Sequence, residues 1–402
     1  MILCPLDNNL EKADLITEKY RFFYIFIHYI MTTVFNSTAP ISVRSTYTEF
    51  GQVDFLVQLR NNSIQANSFR LNGKIQVQKD AATILAADGV FFNAFAGISS
   101  VINVCSTSIN STQIIENISS FGRLVSMKKQ SKYTLPQLTA SSAASLELCG
   151  NRNNQLLVGE VGEDGYVSFS LAIDNCLNNM MGGDIHPAKI NEVRLMLTLE
   201  SALNALYINN IESEIGALSY NLKDLLLMWT EVPALPKPAP IGMITYFLTQ
   251  QTLVSKNTNL TIMSGTSPAD ALSISFIRQK NRSKKDRDGL LSEFIGEIQR
   301  VEFEINSSQA VNMYPLLEYG DFALNYYRSF KSPEDPLMKN SITSLATYGT
   351  CAFGLGVLYP ESQLNRLTMT ITIADNARNE NDPSATDGQI DAFAFTNSML
   401  SL

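Results

Sequence analysis

Val232–Ile241 reads VPALPKPAPI and places four prolines between Pro233 and Pro240. Each proline holds φ at about −65° and has no N–H to donate. Such a run can neither continue a helix nor occupy the middle of a sheet, so it forms a stiff, extended connector. Residues 233–240 therefore separate a first half, 32–232, from a second, 241–402. Either half is long enough for an eight-stranded sandwich with elaborated loops.

On both sides of the connector the dominant pattern is period-two alternation, the signature of strands with one buried face. Val53, Phe55, Val57 and Leu59 alternate with more polar neighbours except at Leu56. Val167, Phe169, Leu171 and Ile173 form a second series, and Val193, Leu195, Leu197 and Leu199 a third. Beyond the connector the same habit returns in Leu272–Phe276, Val301–Ile305, Leu367–Ile373 and Asp391–Phe395. In Leu367–Ile373 every intervening residue is Thr, a β-branched residue suited to a pleated surface. Helical expectations are confined to three short segments, Thr112–Ser120, Leu316–Arg328 and Pro336–Ala346. The fold class that follows is all-β, in two tandem sandwiches with short loop helices.

Composition narrows the function classes. Only 17% of the 402 residues are charged while 45% are apolar, and the net charge is −8. Normal apolar content excludes a disordered chain, and the acidic balance excludes a histone-like polybasic one. A polar but weakly charged exterior suits a protein covered by copies of itself, because burying charge costs more than burying Asn or Ser with a partner. The two histidines, His28 and His186, are too few for His-rich zinc sites or a His-based triad. The five cysteines, Cys4, Cys105, Cys149, Cys176 and Cys351, are widely spaced, odd in number and free of any C-x-x-C pair. They read as reduced, buried small hydrophobes and not as a disulfide framework.

The chain carries no P-loop, H-E-x-x-H, G-x-S-x-G or EF-hand pattern. Gly354-Leu355-Gly356 reads as a turn, and Ser126-Met127-Lys128-Lys129 matches S-x-x-K without its companion motifs. No catalytic, cofactor or metal residue is assigned. His186 reads as a loop residue and Trp229 as a core residue or a neighbour of the connector. Phe22–Met31, FFYIFIHYIM, is too short to span a bilayer, which needs about 20 residues. Residues 1–31 are read as an extension, either an arm that packs on a neighbour or residues upstream of a true start at Met31.

One charge cluster stands out. Arg278–Asp288, RQKNRSKKDRD, carries Arg278, Lys280, Arg282, Lys284, Lys285 and Arg287 against Asp286 and Asp288. It is either a solvated loop between strands or a contact with nucleic acid, anionic lipid or an acidic neighbouring subunit. No aromatic residue interleaves with these charges, so base stacking is unsupported.

The order of segments over about residues 40–402 resembles that of the double jelly-roll major capsid proteins of tailless icosahedral DNA viruses, of the polinton-like virus, virophage and adintovirus type. Phe69–Val77 resembles an early strand pair of the first jelly roll, and Gly89–Asn110 the segment leading into a sheet strand. Gln113–Lys128 is similar to the "E-N … R" excursion that follows, and Leu218–Val232 to the last strand before the inter-barrel linker. In the second half, Ile244–Ser255 and Ala271–Ile277 resemble the opening strands. Phe303–Pro315 resembles a strand and its "Y-P" turn; Phe353–Tyr359, Leu364–Ile373 and Ala392–Ser401 resemble the closing ones.

The resemblance implies a non-enzymatic structural subunit with no cofactor. It implies a homotrimer forming pseudo-hexagonal capsomers that meet neighbouring capsomers and a separate vertex (penton) protein. It implies a place in the virion, assembly inside the host cell without secretion, and weak contact with the packaged genome or an inner membrane. The alternative is a two-domain β-sandwich adhesin or carbohydrate-binding module, against which a single Trp and unpaired cysteines weigh.

Overall fold

Within Gln52–Gln58 the inward side chains are Val53, Phe55 and Val57, while Gln52 and Gln58 face solvent. Glu192–Leu199 buries Val193, Leu195, Leu197 and Leu199 in the same way. Pairing sets Phe55 opposite Leu195 and Val57 opposite Val193, so the apolar residues of both strands share one face.

The computed structural model describes residues 33–84, 88–93, 95–111, 113–132, 165–208, 217–253, 257–263, 269–279, 288–290, 298–305, 308–310, 312–315, 350–353, 366–373 and 389–402. In chain order the first half contributes β1 (Val34–Thr38), β2 (Gln52–Gln58), β3 (Asn62–Ile64), β4 (Arg70–Lys79), β5 (Ala82–Thr83), β6 (Val90–Phe92), β7 (Ile102–Ile109) and β8 (Gln113–Ile118). Helix α1 (Phe121–Lys132) follows. Then come β9 (Val167–Ala172), β10 (Met180–Gly182), β11 (Glu192–Leu199), the one-turn helix α2 (Ala202–Ala205), β12 (Leu206–Ile208) and β13 (Leu218–Pro233). The second half contributes β14 (Ile241–Leu253), β15 (Asn257–Met263), β16 (Ala269–Arg278), β17 (Ile298–Ile305) and β18 (Ser308–Ala310). It ends with β19 (Asn312–Pro315), β20 (Thr350–Phe353), β21 (Arg366–Ile373) and β22 (Ile390–Ser401).

The pairing repeats itself across the connector. In the first half one sheet has β9 beside β4 in the order β1-β13-β4, with β3 and β5 as additions, and the other runs β2-β11-β7-β8. In the second half the sheets are β14-β22-β16-β20 and β15-β21-β17, with β18 and β19 beside β17. Take the eight principal strands of each half in chain order. Both halves then place first, eighth, third and sixth in one sheet and second, seventh, fourth and fifth in the other. That order is the eight-stranded jelly roll, in which the chain crosses repeatedly between two antiparallel sheets. The protein is a double jelly roll.

The chain leaves β13 after Pro233 and enters β14 at Ile241. Residues of the first half hold the stretch between. His186 accepts a hydrogen bond at Nδ1 from Ala188 N–H (3.1 Å), which leaves Nε2–H to donate to the Leu235 carbonyl at 2.8 Å. Lys189 Nζ donates to the carbonyls of Ala239 (3.2 Å) and Leu402 (2.8 Å).

Three expectations change. Thr112–Ser120 does not form a helix: Gln113–Ile118 is strand β8, and the helix begins at Phe121. Asn110 and Ser111 take positive φ and turn the chain back, so β7 and β8 pair and Ile115 and Ile118 are buried. Phe69–Val77 does not contain a strand pair, because Arg70–Lys79 is one continuous strand. Gly73 lies within it because a Cβ there would come within 2.8 Å of the Phe169 ring and 2.6 Å of Leu225. Tyr314-Pro315, expected as a turn, belongs to strand β19 and pairs with β17. The other two helical expectations, Leu316–Arg328 and Pro336–Ala346, lie outside the described residues, as do 1–32 and Gly354-Leu355-Gly356.

Candidate functional site

In β22 every residue from Ile390 to Thr396 is buried, although an antiparallel sheet ordinarily leaves one face to water. Side chains on one of its faces, including Phe393 and Phe395, join an apolar cluster dominated by first-half residues. The two rolls therefore share a packed seam, and its polar groups come mainly from β8, α1 and the residues after β9.

Glu116 on β8 is fully buried. Its Oε2 accepts a hydrogen bond from Cys176 N–H in the first roll, and its Oε1 accepts one from Tyr246 N–H on β14, each at 2.8 Å. One carboxylate thus joins the two rolls through their backbones. Burial pushes its pKa up to about 7, against the opposing pull of the two N–H donors and the Lys128 ammonium.

Lys128 on α1 forms an ion pair with Asp174 and donates to Asn179 Oδ1 at 3.3 Å. Its ammonium lies 4.4 Å from the centre of the Tyr246 ring, a cation–π contact across the seam. Burial disfavours the Lys128 charge, but the Asp174 carboxylate and Tyr246 together outweigh it and hold the pKa above the ordinary lysine value. The thiols of Cys105 and Cys176 are free and buried. Burial first, and the Glu116 charge second, push both of their pKa values up, so these cysteines are inert neutral packing groups.

Arg123, the third residue of α1, reaches further across. Its guanidinium lies 4.3 Å from the centre of the Phe393 ring, Nη1 donates to Ser275 Oγ on β16 at 3.2 Å, and Nη2 donates to the Gly289 carbonyl. A planar guanidinium can stack and donate in several directions together, which suits it to such a place. Beside it, Ser100, Ser120, Gly122, Glu200, Asn204 and Leu290 line a small cavity.

Of the basic residues singled out in the sequence, Arg278 closes β16 opposite Ile390. Lys280, Arg282, Lys284, Lys285 and Arg287 lie outside the described residues. Both ends of that segment are anchored. Gln279 Nε2 donates to Asp391 Oδ1 (2.9 Å) and Thr252 Oγ1 (3.1 Å), while Asp288 Oδ2 accepts from Asn93 Nδ2 of the first roll at 2.8 Å. The basic segment therefore starts and ends against packed structure, its far end on the seam.

Trp229 is a core residue, with Nε1 donating to Glu231 Oε1 at 3.1 Å and its ring 6.4 Å from that of Phe69. Ser126 and Lys129 of the S-x-x-K match are buried on α1. Among the described residues no group of three His, Cys, Asp or Glu side chains is arranged to hold a metal ion.

Sequence reading missed Glu116, Arg123, Lys128 and Asp174. The signal was the spacing of Phe121, Leu124, Val125 and Met127, all buried. A helical period of this kind marks a helix with one face covered; Lys128 falls within that face and Arg123 at its margin.

A second surface is apolar and open. Strand β1 pairs with β13 among the described strands, and it exposes Val34 and Phe35, the latter by 76%. Ile41, Val43 and Phe50 in the segment that follows are also exposed. Open apolar edges of this kind are where sheet proteins meet other chains.

Comparison with solved structures gives the same architecture. A capsid chain of PBCV-1 virus matches with a TM-score of 0.53 at 11% identity, over 92% of this chain and 94% of that one. The fold is that of the double jelly-roll capsid proteins. The Faustovirus major capsid protein matches at 0.53 with 8% identity, covering 92% and 90% of the two chains. A chain of the Sputnik virophage matches at 0.51 with 12% identity, covering 92% and 86%. No family model and no curated protein matches the sequence. The double jelly roll is thus retained where almost every side chain differs.

Proposed function

We propose that this chain is a major capsid protein, the structural subunit of an icosahedral viral shell. The observation that carries the reading is the pair of jelly rolls with identical strand order, fused through a packed and polar-bonded seam. A rigid two-roll block presents about twice the perimeter of a single sandwich. Three such blocks make a pseudo-hexagonal unit able to tile a flat facet, since closed symmetry lets one set of patches serve every contact. The exposed β1 edge and the apolar side chains after it supply a surface for such contacts. Obligate interfaces of this sort bury more than about 2,000 Å².

On this reading the chain performs no catalysis and resides in the virion after assembly inside the host cell. It meets copies of itself, neighbouring capsomers and a vertex protein. The basic residues Arg278, Lys280, Arg282, Lys284, Lys285 and Arg287 form a segment that meets the packaged genome, an anionic lipid surface or an acidic neighbouring subunit. Clustered Lys and Arg on an acidic protein attract phosphate groups through counterion release.

Size-exclusion chromatography with light scattering tests the reading. A stable trimer of the 44.5 kDa chain, about 130 kDa, is expected; a monomer that binds glycans overturns it in favour of an adhesin. Replacing Lys284, Lys285 and Arg287 with Ser is expected to leave the trimer intact and to reduce particle filling or lattice formation. Unchanged particle yield and contents would remove those residues from the functional account.

A further inference from the structure

Because both halves repeat one strand order, the sheet of first and last strands has an equivalent outer face in each roll. In the second roll that face is occupied. Phe393 and Phe395 of β22 and Tyr246 of β14 join the apolar cluster dominated by first-half residues. Helix α1 lays Arg123 over the Phe393 ring and Lys128 over the Tyr246 ring. In the first roll the inward face of the same sheet is filled by buried residues such as Leu71, Ile75, Leu222 and Leu227. Strand residues alternate between faces, so the register turns Phe35, Leu226 and Met228 outward. Phe35 and Leu226 are exposed, and Met228 is half-buried. The polar groups beside them already have partners. Asn72 stands opposite Leu226, Arg70 Nε donates to Ser170 Oγ at 2.9 Å, and Lys74 lies 3.7 Å from Asp224. An apolar centre with a polar, weakly charged rim is the make-up of a contact between proteins.

We propose that the outer face of the β1-β13-β4-β9 sheet is the docking surface for the second roll of another copy of this chain, which covers it as the first roll covers the corresponding face of β22. The occupant follows from a precedent inside the molecule. Each chain already lays one jelly roll on this face of another, and the roll that covers has the same strand order as the roll that is covered. The second roll is therefore built to repeat the step, and the first roll of a neighbouring chain offers the face it needs. The contact joins unlike patches, so it is heterologous, and such a contact either closes into a ring or runs on as a filament. This inference rests on the trimer reading and adds to it the face and its occupant: three chains place six rolls in one closed ring, each lying on the next.

The full-length protein carrying both Phe35→Asp and Leu226→Asp tests the face, with Ile114→Asp, exposed on β8 of the other sheet, as the control. The double variant is expected to keep the wild-type denaturant midpoint and to associate at least about 100-fold more weakly in light scattering. The control is expected to remain a trimer. The occupant is tested by placing the photo-crosslinking residue p-benzoylphenylalanine at position 35 of the otherwise unchanged chain. Irradiation is expected to give a product of two chain masses on a denaturing gel, with the attached peptide drawn from residues 241–402. Attachment within residues 1–232, or no two-chain product, overturns the proposal, and so does a double variant that stays trimeric. In those cases a trimeric wild type leaves the capsid reading standing, whereas a monomeric wild type removes both. If the double variant does not fold, the photo-crosslink decides the matter alone.

Discussion

The two rolls have one strand order but opposite surroundings for the sheet that holds their first and last strands. In the first roll that sheet ends at β1, five residues long, with Val34 and Phe35 exposed. In the second the equivalent strand, β14, is thirteen residues long, and β10 from the first roll pairs with its residues Ile241–Met243. The inner strands differ likewise. β13 alternates between buried and more exposed residues along much of its length, whereas β22 is buried on both faces from Ile390 to Thr396, where Arg123 of α1 lies over Phe393. Topology sets which strands neighbour each other. Whether an edge or a face is free depends on what the rest of the chain lays over it. Among the described strands the first roll leaves β1 as an edge with exposed apolar side chains, whereas β10 of the first roll covers the first three residues of β14.

Breaking the cover from α1 should have the largest effect. Arg123→Ala removes donors to Ser275 and Gly289 and the stacking on Phe393. A cost of about 3 kcal/mol is expected, read as a lower denaturant midpoint. Loss of a single transition in favour of two would show that the rolls have become independent units. A single transition at an unchanged midpoint would mean that the seam contributes little.

Detaching β10 should come next. Gly182 has φ of +95°, and a Cβ there would lie 2.5 Å from the Pro240 carbonyl oxygen. Gly182→Ala is expected to cost about 2 kcal/mol and to uncover the start of β14, so faster aggregation at equal concentration is the second readout. If β14 needs no cover, stability falls without aggregation.

The smallest effect on folding is expected at the open edge. Phe35→Ser changes an exposed side chain, so monomer stability should move by less than about 0.5 kcal/mol. Self-association measured by light scattering should nevertheless weaken. Unaltered association would place the contact between copies elsewhere than on β1.

Much of the fold was legible in the chain. Val53–Leu59, Val167–Ile173 and Val193–Leu199 alternate because one face of each strand is buried and the other is not, a purely local consequence of the pleat. The prolines of 233–240 mark the break between β13 and β14 for the equally local reason that they lack donors. The helix was misplaced by one element. Ile114, Ile115 and Ile118 suit a strand, and the helical spacing begins only at Phe121. Gly73 was read as part of a strand pair because its true partners, Phe169 and Leu225, are about a hundred or more residues away along the chain.

Of the seam, only the apolar spacing of Phe121, Leu124, Val125 and Met127 was legible, and its polar partners were not. Glu116 pairs with groups 60 and 130 residues distant, and Arg123 with Ser275, 152 residues away. Nothing about a Glu in QIIENI or an Arg in FGRLVSMKK states that it will be buried, still less against what. The sequence by itself determined the strands, the connector and a weakly charged exterior, because these depend on backbone geometry, side-chain period and composition. Only the tertiary structure decided which roll keeps a free edge and where the few buried charges meet. Those outcomes depend on segments far apart in the chain arriving at one place, and on the low-dielectric environment that exists only once they have done so.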